Sequence, residues 1–144
     1  MRTSLKMDPE APLASGAAAK PGDLAFVRDR RVGHLATADS DGTPSVVPVC
    51  FALLDLAEEP TIVIAIDEKP KGDPRALQRV RNIMARPDVS LVVDDYSEDW
   101  RRLAWALVRG RARMVEPGEV DHAPAVAAVR AKYQQYATCL LYTS

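Results

Sequence analysis

Two lysines one residue apart, Lys69 and Lys71, stand just behind a β-branched run that ends at Asp67. Pro70 lies between them and restricts the backbone, which lowers the entropy lost when a ligand is gripped. Asp73 and Pro74 follow, a pair that reads as the cap and first position of a helix. Ammonium groups and the free N–H groups of a helix start both favour an oxyanion, so the segment can cradle a phosphate. Lysines in a turn are more often simply solvated, and their spacing alone does not establish the cradle.

Other constellations fail on residue type or spacing. The two histidines, His34 and His122, have no second ligand at metal spacing, so no metal site is expected. His34 reads as a strand residue with a satisfied ring, and His122 as a solvated residue at a helix start. Cys50 sits in the apolar stretch Val47-Pro48-Val49-Cys50-Phe51-Ala52, where a small buried hydrophobe is the expected role. No GxSxG elbow, phosphate-binding lysine loop or GxGxxG is present. The acid pairs Glu58-Glu59 and Asp94-Asp95 fall in turns. Arg109, Arg111 and Arg113 alternate on one strand, either as solvated charge or as a basic strip facing an anionic ligand. Trp105 alternates with Leu103 and Leu107 and reads as core or subunit interface. Trp100, in a charged loop, reads as a cap or subunit contact.

The elements that position these residues follow from hydrophobic period and turn chemistry. Residues 1–22, rich in Ala, Pro and Gly, read as a disordered leader, with Met7 as an alternative start. A helix is expected from Asp23 to Arg31, then strands at Gly33–Asp39, Pro44–Leu54 and Thr61–Asp67. Ser40-Asp41-Gly42-Thr43 marks a tight turn with positive φ. A helix from Asp73 to Pro87 presents Leu77, Val80 and Met84 on one face. Strands at Val89–Asp94 and Leu103–Val115 precede a last helix at Glu119–Tyr136. Runs of strands with few helices between them point to an antiparallel α+β barrel with packed helices.

Composition agrees with one domain. The chain has 144 residues, 47% hydrophobic and 27% charged, enough to bury a core without disulfides. A net charge of −1 argues against a general nucleic-acid binder, and no apolar run has the ~20 residues that span a bilayer. The expected location is the cytoplasm. The last six residues, Cys139 to Ser144, are the direct translation of TGT CTC TTA TAC ACA TCT, a transposon end used to build sequencing libraries. They read as adapter-derived, which leaves the domain at residues 23–138 and its C-terminal strand truncated.

Several segments together resemble the pyridoxamine 5'-phosphate oxidase-like split barrels, and most of all their coenzyme F420-dependent branch. They are Gly33-His34-Leu35-Ala36-Thr37, Pro44 to Phe51, Ala65 to Lys71, Leu77 to Ile83, Arg86 to Asp94, Asp99 to Trp105 and Ala131-Lys132-Tyr133. The resemblance implies a split β-barrel that dimerises and holds a flavin or deazaflavin at the subunit interface. By position it gives the phosphate to Lys69 and Lys71, beside Ile66, Asp67 and Pro70. It gives the ring to backbone and apolar groups of Val47, Pro48, Val49, Cys50 and Phe51. The implied activity is hydride transfer between F420 and a small organic substrate. FMN chemistry on a pyridoxamine-like amine, or non-catalytic cofactor binding, are the alternatives.

Overall fold

The computed structural model describes residues 3–8, 21–56, 59–66 and 77–138. In chain order these form strand β1 (Thr3–Asp8), helix α1 (Pro21–Asp29) and strands β2 (Gly33–Ala38), β3 (Pro44–Val49), β4 (Phe51–Leu56) and β5 (Glu59–Ile66). Helix α2 (Gln78–Ala85), strands β6 (Asp88–Asp95) and β7 (Ala104–Val115), and helices α3 (His122–Lys132) and α4 (Gln134–Thr138) complete them. The described strands make one sheet in the order β3-β2-β6-β7-β1-β5-β4, antiparallel at every ladder. Its two outermost strands, β3 and β4, are consecutive in the chain and separated by Cys50 alone. Two residues span at most ~7 Å, so the sheet must roll until its ends meet at that residue. The expected α+β antiparallel barrel is therefore the observed one.

Two apolar layers follow from this roll. Inside it, Leu35, Val49, Phe51, Ile62, Ile64, Ile66 and Leu91 form the main core, closed at one end by Val80 and Ile83 of α2. Outside, α3 and α4 lay Ala125, Val126, Val129, Tyr133 and Tyr136 over Ala52, Val63 and Ala65. Thus β5 is buried on both faces, which explains why Thr61–Ile66 is an unbroken apolar and β-branched run rather than an alternating one. The α2 helix is also pinned by polar groups. Buried Asn82 donates from Nδ2 to Thr37 Oγ1 at 2.9 Å and accepts from Gln78 Nε2 at 2.7 Å.

The β2–β3 turn matches its sequence signal. Asp39 Oδ1 accepts the backbone N–H groups of Asp41 and Thr43, both at 2.9 Å, and Gly42 takes φ +87°. Gly33 sits in a close approach of a different kind. A Cβ there would stand 2.8 Å from Leu91 Cδ1.

Other expectations are corrected. Thr3–Asp8, read as part of a disordered leader, is a strand between β5 and β7. The short alternation of Leu5 and Met7 with Lys6 and Asp8 is its only sequence mark. The run Pro44–Leu54 is two strands, because Cys50 is where the chain leaves β2 and joins β5. Helix α1 begins at Pro21, so Asp23 lies in its first turn instead of capping it. On α2 the inward face is Val80, Asn82 and Ile83, whereas Met84 is 62% exposed. The last helix is broken at Tyr133 into α3 and α4. No helix among the described residues is long and apolar enough to cross a membrane.

Candidate functional site

Because β3 ends the sheet, it pairs with β2 on one side and has no ladder on the other among the described residues. An antiparallel edge strand sends half of its N–H and C=O groups away from its neighbour, and these are available to a ligand. Val49 is buried, Val47 and Cys50 are half-buried, and Pro48 is exposed. Pro48 lacks an N–H, so an edge position costs it no ladder bond.

Beyond Cys50 the backbone is already occupied. The Tyr133 hydroxyl accepts the Phe51 N–H at 3.1 Å, and its one proton is shared between the carbonyls of Phe51 and Arg31, each at 2.9 Å. Burial pushes the Tyr133 phenol up, which keeps that proton in place at neutral pH. The Arg31 guanidinium lies 4.6 Å over the Tyr133 ring and donates to the Lys132 carbonyl at 2.8 Å. Lys132 Nζ sits 3.8 Å from the Phe51 ring centroid, a cation–π contact, and is buried with no hydrogen-bond partner among the described residues. Burial, then the Arg31 charge, lowers its pKa to about 8, against the opposing pull of Cys50 and Asp29. Tyr133, Lys132 and Arg31 thus fix the corner where β3 becomes β4.

The residues named for the ring share this corner, but not equally. Phe51 turns its side chain fully into the core and spends both backbone groups on Tyr133. Ile66 is also fully buried. That leaves Val47, Pro48, Val49 and Cys50 as the stretch whose backbone edge is open. Asp67, Lys69, Pro70 and Lys71, and the proposed helix start at Asp73 and Pro74, lie outside the described residues. What flanks them is described: β5 ends at Ile66 and α2 begins at Gln78. Among the described residues, no side chain of the N-cap residue Leu77 bonds the first amides of α2, and Arg79 holds a buried Nε with no hydrogen-bond partner. Both are features that an anion satisfies.

The remaining candidates lie elsewhere. His34 stands exposed on the outer sheet face, and Trp105 shares that face at 66% exposure, not in the core. Trp100 at the tip of the β6–β7 loop is 79% exposed. Arg109, Arg111 and Arg113 do alternate outward, and Arg113 is engaged by Glu119 and Asp121, each at 2.8 Å. No group of three or more metal-ligating side chains occurs among the described residues. Roles for Tyr133, Lys132, Arg31 and Arg79 were not read from the sequence. The one available signal was the 3-4-3 spacing of Val126, Val129, Tyr133 and Tyr136, which marks a buried helical stripe but not the hydroxyl's task.

A rolled antiparallel sheet, open along one strand edge and clothed by helices on one side, defines a split-barrel protein. The chain belongs to the pyridoxamine 5'-phosphate oxidase family, whose sequence model matches residues 23–143. No curated protein matches the chain in sequence. Among solved structures, HutZ, the heme storage protein from Vibrio cholerae, is similar with a TM-score of 0.61 at 18% identity, over 85% of this chain and 82% of its own. A conserved hypothetical protein from Mycobacterium tuberculosis gives 0.61 at 23% identity, over 85% of this chain and 69% of its own. A protein of unknown function from Agrobacterium tumefaciens gives 0.58 at 21% identity, over 93% of this chain and 54% of its own. These likenesses establish a shared fold.

Proposed function

We propose that this protein is a cytoplasmic oxidoreductase that binds coenzyme F420 and passes hydride between that deazaflavin and a small organic substrate. Membership of a flavin-using family supports the cofactor class, and the segments that resemble the F420-dependent branch favour the deazaflavin within it. The observation that carries the reading is the start of α2, where, among the described residues, no side chain caps the helix and Arg79 Nε is buried without a hydrogen-bond partner. The connector that leads to it holds Lys69 and Lys71. Amides, guanidinium and two ammonium groups together suit a phosphate.

When bound, the deazaflavin supplies the hydride chemistry itself. The protein's own tasks are to hold the phosphate near α2, to lay backbone groups of Val47 to Cys50 along the ring, and to keep water from the reacting face. These tasks need no histidine base and no metal. FMN, with oxidase chemistry on a pyridoxamine-like amine, remains the alternative cofactor on the same contacts.

Titrating the full chain with F420 and with FMN, followed by absorbance, separates the two. Lys69→Ala with Lys71→Ala should weaken binding of the preferred cofactor by roughly 3–5 kcal/mol, the loss of two charge-assisted contacts. Unchanged affinity refutes the cradle. The Vibrio neighbour's heme offers a second reading, non-catalytic storage, favoured by an exposed imidazole at His34 on an apolar sheet face. A Soret band that grows on hemin addition and disappears in His34→Ala would favour that reading over F420.

A further inference from the structure

We propose that Lys132 is a specificity-determining residue of the ligand site. Its unpaired ammonium, set behind Cys50, makes the open end of β3 select a ring that carries negative charge, and so favours F420 over FMN. The inference rests on the function proposed above and names the group that chooses between its two cofactors.

The ammonium is held by ring faces rather than by an acid. Lys132 ends α3, and its Nζ lies 3.8 Å from the Phe51 ring centroid and 5.4 Å from that of Tyr133. A ring face attracts a cation through its quadrupole but has no net charge to cancel it. Among the described residues, Nζ is buried and has no hydrogen-bond partner. The neighbouring charges do not neutralise it either. Arg31, 4.6 Å over the Tyr133 ring, adds a second positive charge. Asp29, at the end of α1, is the one carboxylate among the groups that act on Lys132. Burial keeps the Tyr133 phenol protonated, and Arg30 is matched by Asp95 at 2.8 Å. The described residues therefore leave this corner net positive.

The field of that charge reaches the open edge. Cys50 precedes Phe51, packs against the layer that α3 and α4 form, and stays half-exposed. Lys132 and Cys50 interact electrostatically, so a group laid against Cys50 from outside stands one residue away from the ammonium. Protein rather than water fills the space between them and screens the charge weakly. An uncompensated buried charge beside open backbone groups suits ligand binding better than stability.

The two cofactors differ in what this field can act on. F420 bears a ring hydroxyl conjugated with the pyrimidine carbonyls, which makes it a vinylogous acid that ionises near neutral pH. Its anion spreads over the whole ring system, so the field stabilises it whichever end of the ring meets Cys50. FMN has no such hydroxyl, and its oxidised ring is neutral under the same conditions. A nearby cation lowers the pKa of the F420 hydroxyl and leaves the FMN ring indifferent.

The test titrates the full chain with F420 and with FMN from mildly acid to neutral pH, where Lys132, with a pKa of about 8, is charged. Visible absorbance reports both binding and ring ionisation, because the F420 anion absorbs at longer wavelength than its protonated form. The wild type should prefer F420 and hold it as the anion to about one pH unit below the free cofactor. Lys132→Met should remove most of that shift, weaken F420 by about tenfold at pH 7 and change FMN affinity by less than about threefold. Its melting temperature should not fall below that of the wild type, which excludes a collapsed site. A wild type that prefers FMN, a ring that ionises at the same pH in both proteins, or equal losses for the two cofactors overturns the inference and leaves cofactor binding standing. A wild type that binds neither cofactor overturns the functional reading, and this inference with it.

Discussion

Removing one oxygen atom, in Tyr133→Phe, tests the claim that α3 sets the corner of the barrel. The ring of Tyr133 is 2% exposed and Phe51 is fully buried, so the substitution keeps the packing and deletes only the hydroxyl. The Phe51 N–H then loses the acceptor at 3.1 Å, and its carbonyl loses a donor at 2.9 Å. A buried backbone group left without its partner costs ~1–3 kcal/mol, and two such groups sharing one hydroxyl give ~2–4 kcal/mol in total. For a domain of this size that lowers the melting temperature by roughly 6–12 °C. Thermal unfolding followed by far-ultraviolet circular dichroism measures it, with Tyr96→Phe as the control, because Tyr96 is 65% exposed. If Tyr133→Phe melts within about 2 °C of the wild type, the hydroxyl does not hold that corner, and the argument built on it fails.

Lys132 supplies a pH dependence. Its pKa falls from 10.5 to about 8 on folding, so between those values the unfolded chain binds more protons and stability rises with pH. Below about 8 the whole penalty is present. The shift corresponds to ~3 kcal/mol, which solvent screening of a half-exposed side chain reduces to ~1–2 kcal/mol. Lys132→Met should therefore raise stability at pH 7 in urea unfolding and flatten the rise in the alkaline range; an unchanged slope refutes the assignment. Gly33→Ala should cost ~1–3 kcal/mol, since the new methyl group meets Leu91 at 2.8 Å and Phe51 at 3.3 Å. An unaltered urea midpoint in that variant would mean that Leu91 can step aside.

Much of the fold was legible because local signals agreed with the global arrangement. The Asp41-Gly42 turn, the alternating runs of β2 and β7, and the doubly buried β5 each carry a periodicity that only one structure satisfies. The misses share one physical cause, partners distant in sequence. β1 is held by β5 and β7, more than fifty residues away, and its own six residues are too short and polar to announce a strand. Met84 sits at an apolar position of the helical period, yet Asn82 takes the inward place because Thr37 of β2 offers it a hydrogen bond. Trp105 reads from the sequence as core or subunit interface, and its 66% exposure excludes only the core. The proposed phosphate cradle at Lys69 and Lys71 was read as charge ahead of a helix start, and those residues lie outside the described ones. The corner clamp was not, because Tyr133, Phe51 and Arg31 meet only through the fold.

The junction at Cys50 has a mechanical consequence. A single residue ties the first and last members of the sheet together, so the ends of β3 and β4 that meet there cannot part without breaking their ladders to β2 and β5.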